Sequence, residues 1–233
     1  MSGENARPGG VPQAALSEAQ LRAILDAALD AVITMGTNGL ITSWNPQAAA
    51  MFGWSAAEAV GDKLSDLIIP VALREAHHRG LTGFLETGSG AILRRRLEVT
   101  ALHRDGHEFP VELTVTPLSV DGTWRFSAII RDLTERKAAE CRLAAQHAVT
   151  RILAESQSLE TAAPAILRTM CERLSWDVGA LWVFDREAAE LRSVDLWHEP
   201  SIRLLEFEAQ TRSTRRLAGS GLPGLIWATG GPA

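Results

Sequence analysis

The sequence has few cysteines, no long apolar run and no excess of positive charge. Its 233 residues include two cysteines, Cys141 and Cys171, which form no CxxC motif, so a disulfide framework and a cysteine-based zinc site are disfavoured. The formal net charge of -5 disfavours nucleic acid, which would need a basic face. No apolar run approaches the ~18 residues of a membrane span, and no secretory signal begins the chain. We therefore expect a cytoplasmic protein without a membrane partner.

The composition that remains is that of a soluble globular protein, with 46% apolar and 22% charged residues. A chain of this length can form one or two domains. Residues 1–16 are rich in Gly, Pro and small polar residues, which predicts disorder. A short amphipathic helix is predicted next, over residues 17–29, with its apolar side chains on one face.

Turn and capping signals organise the following segment. Asn38-Gly39 lies between two apolar runs and predicts a tight β-hairpin. Asn45-Pro46 predicts the end of the second strand and the start of a short helix over residues 46–51. Ser55-x-x-Glu58 is a capping box and predicts another short helix.

A longer helix is predicted over residues 71–86, and it contains the adjacent histidines His77 and His78. Three strands follow, over residues 94–103, 109–118 and 124–131. In the middle one Val111, Leu113 and Val115 share a face. The order of two strands, several helices and three strands predicts an α+β fold with a five-stranded antiparallel sheet and helices on one face.

The rest of the chain predicts a long helix and a second α+β unit. The helix covers residues 134–156 and has no Pro or Gly. Small and apolar residues recur along it at spacings of three and four, which is compatible with a dimer seam or with an ordinary amphipathic helix. These residues are Ala138, Cys141, Ala145, Ala148 and Ile152.

The second unit starts with a helix that Ser158 caps and that runs to Leu174. Pro164 lies within this helix and predicts a kink or a shift of its boundary. Two strands are predicted next, over residues 178–185 and 191–198. Because two strands make a poor sheet alone, the unit reads as cut off before it is complete.

The first unit resembles a PAS sensor domain. The resemblance rests on the ordered motifs "DAVITMGTNGLITSWNPQAAAMFGWSAAEAVG", "RRRLEVTALHRDGHEFPVELTVTPL" and "AIIRDLTERKAAE". The second unit resembles the first half of a GAF domain, through "GALWVFDREAAELRSVDLWHEPS" and "GSGLPGLIWATGGPA". The resemblances divide the chain into a disordered start (1–16), a PAS domain (17–136), a linker helix (137–157) and a partial GAF domain (158–233).

This domain order is similar to the input region of bacterial sensor histidine kinases of two-component phosphorelay systems, which is an argument by analogy alone. The sequence offers no catalytic motif, and His147, in the linker helix, lacks the context of a phosphoacceptor. We expect no catalytic domain in this chain. A flavin adduct is disfavoured because neither cysteine lies in the PAS core.

The resemblance also implies one possible cofactor, haem. Haem-binding PAS domains carry their proximal histidine on the longer helix, where His77 lies at about the same position. Haem iron takes a neutral imidazole that faces an apolar pocket. Ile92, Leu113 and Val115 would line that pocket, and Arg95 or Arg96 would reach a bound gas. The alternative is that His77 and His78 are ordinary helix residues, of which at most one faces the core because they point about 100° apart.

In PAS domains the exit from the last strand couples the sheet to the next helix. By resemblance, Asp132, Thr134 and Arg136 are the candidate transmission residues. We predict a sensory module that binds an unidentified small ligand or partner in the PAS core, dimerises through the PAS domain and linker helix, and relays the signal to an output domain. The alternatives are a haem-based gas sensor that uses His77 and a ligand-free interaction scaffold.

Overall fold

The computed structural model describes residues 17–90, 93–120 and 122–231. The chain divides into two compact units, with the boundary between Thr134 and Glu135. The predicted disorder of residues 1–16 and the predicted pocket residue Ile92 lie outside the described residues.

The first unit contains five helices and five strands among the described residues. Their bounds are α1 (Glu18–Asp26), β1 (Ala31–Gly36), β2 (Ile41–Trp44), α2 (Pro46–Phe52), α3 (Ala56–Ala59), α4 (Leu64–Ile68), α5 (Val71–Thr87), β3 (Arg96–Leu102), β4 (Glu108–Val120) and β5 (Thr123–Asp132).

The five strands form one antiparallel sheet in the order β2-β1-β5-β4-β3. The predicted fold class is thereby confirmed. β5 lies in the centre of the sheet, between β1 and β4. One hydrophobic face of the sheet packs against α2, α4 and α5. The buried cluster contains residues of the sheet, such as Ile33 and Phe126, and residues of the helices, such as Phe52 and Phe84.

Asn45 fixes the corner between the sheet and α2. Its side-chain Oδ1 accepts the backbone amides of Val32 and Ala48, both at 2.9 Å. Its Nδ2 donates to the carbonyls of Leu25 and Asp30, both at 3.1 Å. Asn45 is 4% exposed, so water cannot replace these bonds. One side chain therefore satisfies backbone groups of three separate segments.

The structure corrects the predicted first helix. α1 ends at Asp26 rather than at residue 29. The Asn45 side chain donates to the carbonyl of Leu25, inside the helix, and to that of Asp30, after its end. The predicted apolar face is also largely uncovered, because Ile24 and Leu29 are exposed. Moreover, the short helix α4 had no prediction.

The second unit contains four helices and three strands among the described residues. Their bounds are α6 (Thr134–Glu155), α7 (Leu159–Leu174), β6 (Val178–Asp185), β7 (Glu190–His198), α8 (Leu205–Ser213), β8 (Arg215–Arg216) and α9 (Gly221–Thr229). The first residue of α6, Thr134, ends the first unit.

The strands of the second unit form an antiparallel sheet in the order β6-β7-β8. α7 packs closely on β6, because a Cβ atom at Gly179 would come within 2.6 Å of the Cys171 Sγ atom. The predicted bounds of α7 agree with the structure, and the helix continues through Pro164. The predicted pair of strands gains a third, β8, which had no prediction.

Candidate functional site

His77 lies on the side of α5 that faces the core of the first unit. Leu81 lies four residues after His77, and Phe84 lies three residues after Leu81, so the three share one side of the helix. Phe84 is 3% exposed. His78 is more exposed than His77, and its Nε2 atom forms a hydrogen bond with the Ser65 hydroxyl at 3.2 Å. Both imidazoles line the same small cavity beside α5, so this geometry does not confirm the prediction that at most one of the two histidines faces the core.

The imidazole of His77 has an unusual environment. Its Nδ1 atom is inaccessible to water and has no hydrogen-bond partner among the described residues. A buried polar atom without a partner costs about 1–3 kcal/mol. Burial, and secondarily the neighbouring His78, lower the pKa of His77. His77 is therefore neutral at pH 7, which is the form that binds metals.

A haem nevertheless does not fit beside His77 in this structure. The cavity next to it has a volume of about 220 Å³, below the roughly 300–1,000 Å³ of small-molecule sites. Most of the side chains that line it are polar, among them Asn38, Lys63 and Ser65. A haem pocket needs apolar walls and a larger volume. The polar side chains around His77 would have to move away to provide either.

The other predicted pocket residues lie on two different faces of the sheet. Leu113 and Val115 pack against the buried cluster. Arg96 is exposed, and its Nη1 atom pairs at 3.8 Å with Glu112, which alternates with Leu113 along β4. Because neighbouring strand residues point to opposite faces, Arg96 lies across the sheet from the two predicted pocket residues. The structure therefore does not bring Arg96 together with Leu113 and Val115.

We expect the purified full chain, expressed with a haem supplement, to show no Soret absorption band, because the cavity beside His77 is too small. The visible spectrum measures this directly, with His77→Ala and its neighbour His78→Ala as matched variants. A Soret band that His77→Ala removes and His78→Ala keeps would show instead that the cavity opens and that His77 binds haem iron.

Two of the three predicted transmission residues, Asp132 and Thr134, contact each other at the exit from β5. The Asp132 Oδ1 atom accepts the Thr134 amide, the first amide of α6, at 2.7 Å. Arg136 lies one helical turn before Glu140, and the two side chains form an ion pair at 3.5 Å. Both charges are exposed, so this pair contributes little.

Leu133 is the anchor that the sequence analysis missed. It lies between Asp132 and Thr134 and is 1% exposed. Its amide donates to the Pro110 carbonyl of β4 at 2.9 Å. The signal was present in the sequence, as a single apolar residue between polar residues at the end of a strand. The chain therefore leaves the sheet through a buried, hydrogen-bonded residue.

A second contact fixes the same end of β5. The guanidinium of Arg131 donates two hydrogen bonds to the Asp30 carboxylate, at 3.0 and 2.8 Å. This bidentate pair joins β5 to the residue before β1. The hydrogen bonds and the negative charge of Asp30 raise the pKa of Arg131. The last residues of β5 thus have partners on both neighbouring strands of the sheet.

Larger cavities lie in the second unit. One has a volume of about 830 Å³ and an apolar lining that includes Trp182, Phe207 and Trp227. Another, of about 950 Å³, runs along α6 and includes Cys141 and Trp176. Ala145 and Ala148 of the predicted seam are buried, whereas Cys141 is exposed.

Within the part of the chain that the structure describes, every helix is too short or too polar to span a membrane.

Comparison with known proteins places the first unit in a family. Residues 19–133 match the family described as PAS fold. Together with the five-stranded antiparallel sheet and its helical cover, this match identifies the first unit as a PAS domain.

The relatives of this chain include sensor proteins. An uncharacterized protein of Azorhizobium caulinodans is 40% identical over 121 residues, which is 52% of this chain and 16% of that protein. The sensor protein FixL of Bradyrhizobium diazoefficiens is 32% identical over 54% of this chain and 25% of its own length. The cell-division control histidine kinase PdhS of Brucella ovis is 31% identical over 52% and 11%. The chain thus covers a quarter or less of each relative.

Proposed function

We propose that this chain is the sensory input module of a bacterial two-component signalling protein, whose output domain is a histidine kinase. The PAS core receives a small ligand or a protein partner, and α6 carries the change to the output. Two relatives named as a sensor protein and a histidine kinase support this proposal.

The observation that carries the proposal is the junction between β5 and α6. β5 is the central strand, so a change in the core on either side shifts it. Leu133 is buried and bonded to β4, which makes the end of β5 part of the folded core. Asp132 bonds the first amide of α6. A displacement of the strand therefore changes the stability of the first helical turn, as a relay between two states requires.

The second unit is proposed to be a partial GAF domain, on the resemblance of its sequence alone. The homodimer, the linker-helix seam and the cytoplasmic location that the sequence predicts stay predictions. The groove along α6 supports the dimer proposal, because the exposed Leu143 and Trp176 line it. Contact with a second α6 would cover these apolar side chains.

Asp132→Ala tests the relay junction. The variant loses the hydrogen bond to the Thr134 amide, which we expect to destabilise the first turn of α6 by about 1 kcal/mol. Hydrogen–deuterium exchange of residues 134–138 should then accelerate about fivefold, since 1.4 kcal/mol corresponds to a factor of ten. Asp132→Asn is the matched control, because the amide oxygen still accepts the bond. Equal exchange in Asp132→Ala and the wild type would contradict the proposed junction.

A further inference from the structure

The turn between β3 and β4 holds three side chains that can bind a metal. His103 follows β3, Asp105 lies in the turn, and His107 precedes β4. The His103 amide donates to the His107 carbonyl at 2.9 Å, which pairs the two residues across the hairpin. Gly106, with a φ of 95°, supplies the left-handed backbone that closes the turn. All three side chains therefore come from one tight segment of five residues.

The three side chains converge on one point. The Oδ1 atom of Asp105 lies 3.0 Å from the Nδ1 atom of His103 and 2.5 Å from the Nδ1 atom of His107. The two imidazole rings stack, with their centroids 4.6 Å apart and their planes at 27°. One ligand atom from each residue lies within 4.8 Å of the other two. No other group of three such side chains occurs among the described residues.

Hydrogen bonding alone leaves this cluster imperfectly paired. The Asp105 amide donates to the Nδ1 atom of His103 at 3.3 Å. A nitrogen that accepts this bond has no proton to donate to the carboxylate oxygen 3.0 Å away. In that tautomer a lone pair and a carboxylate face each other, and a bound cation would convert this repulsion into attraction.

The segment that carries the cluster is held in place by its neighbours. Arg104, between the ligands, donates its amide to the Phe52 carbonyl at 3.0 Å. Its guanidinium pairs with Glu58 at 3.0 Å and lies 4.7 Å from the centre of the Trp54 ring. The His107 ring contacts the buried Phe109 ring, with centroids 5.6 Å apart. These contacts fix the turn before a metal binds, which reduces the entropy cost of binding.

We propose that His103, Asp105 and His107 form a binding site for a divalent transition metal, with zinc as the best fit. Two imidazoles and one carboxylate are a ligand set that zinc accepts, with bonds of about 2.0–2.2 Å. Ligand atoms around a tetrahedral zinc lie about 3.4 Å apart at such bond lengths. The two Asp105–histidine separations, at 3.0 and 2.5 Å, are shorter than this spacing, so small side-chain rotations that move the ligand atoms apart would make room for the ion. The partly exposed side chains leave the fourth position open to water.

The test uses the full chain without an affinity tag, stripped of metal by a chelator. Isothermal titration with zinc chloride should show one saturable site per chain. His107→Ala removes a half-exposed ligand and should weaken binding at least tenfold. His147→Ala is the matched control, because His147 is exposed on α6, outside the cluster. Zinc should also raise the melting temperature of the wild type and of His147→Ala, and raise it less in His107→Ala.

A second variant protects the test against misfolding. His107→Gln keeps a polar side chain in the turn, and circular dichroism of the metal-free variants checks that both fold. Cobalt(II) offers an independent readout, because tetrahedral coordination gives it visible absorption bands that zinc lacks. The proposal is overturned if the wild type shows no saturable binding, or if folded His107→Ala and His107→Gln bind zinc as tightly as His147→Ala does.

Discussion

Asn45→Ala is expected to lower the free energy of unfolding of the PAS domain by about 4 kcal/mol. The variant leaves the amides of Val32 and Ala48 without their acceptor and the carbonyls of Leu25 and Asp30 without their donor. Each buried group that loses its partner costs about 1–3 kcal/mol, and partial access of water reduces the sum. Urea denaturation followed by circular dichroism measures the loss.

Asn38→Ala is the matched control for this prediction. Asn38 is exposed in the β1–β2 turn, and its side chain accepts one bond, from the Leu40 amide at 3.1 Å. We expect its loss to cost under about 1 kcal/mol. Equal destabilisation by the two substitutions would show that Asn45 does not organise the corner between the sheet and α2.

Ala128→Leu is expected to lower the free energy of unfolding by about 2 kcal/mol. Ala128 lies on the inner face of β5, opposite Ile33 of β1 and Val115 of β4. Ala128 is half-buried and packs against the buried cluster, and Ile33 beside it is 1% exposed, so a leucine side chain here would press on residues that are already packed. Adding methylene groups to a packed core typically costs 1–3 kcal/mol through displaced side chains and backbone. Urea denaturation again provides the measurement.

Ile129→Leu is the control for Ala128→Leu. Ile129 is the next residue of β5 but lies on the other face and is 50% exposed. Its replacement keeps the volume and changes no buried contact, so we expect an effect within about 0.5 kcal/mol. A similar loss of stability in both variants would show that the inner face of β5 is not the constrained one.

The sequence predicted the elements that local signals determine. Asn38-Gly39 identified the first hairpin, and the Ser55–Glu58 capping box identified α3, because each signal acts within four residues. The end of α1 could not be predicted in this way. It depends on Asn45, whose side chain reaches Leu25 and Asp30 across 20 and 15 residues of sequence.

The candidate site was predictable in part. Helical spacing predicted that His77 and His78 do not both face the core, whereas both side chains line one small cavity beside α5. The volume beside His77 depends on Asn38 and Lys63, which belong to other elements, so the sequence could not reveal that the cavity is small.

Strand register and turn geometry account for two further differences. Placing Arg96 in the pocket required knowing which residue of β3 turns inward, and a shift of one residue reverses the answer. In the sequence, His103 and His107 are two histidines on either side of Asp105-Gly106, a pair of residues typical of a turn. Their convergence on Asp105 depends on the hairpin pairing that the structure supplies.

The central claim of this account is that changes in the PAS core pass through β5 and Leu133 to α6. Hydrogen–deuterium exchange of residues 134–140 in Ala128→Leu tests it most directly, with Ile129→Leu and the wild type measured beside it. We expect exchange in this segment to change severalfold in Ala128→Leu alone, while β6 and β7 of the second unit exchange as in the wild type. Unchanged exchange of residues 134–140 in Ala128→Leu, despite its lower stability, would contradict the claim.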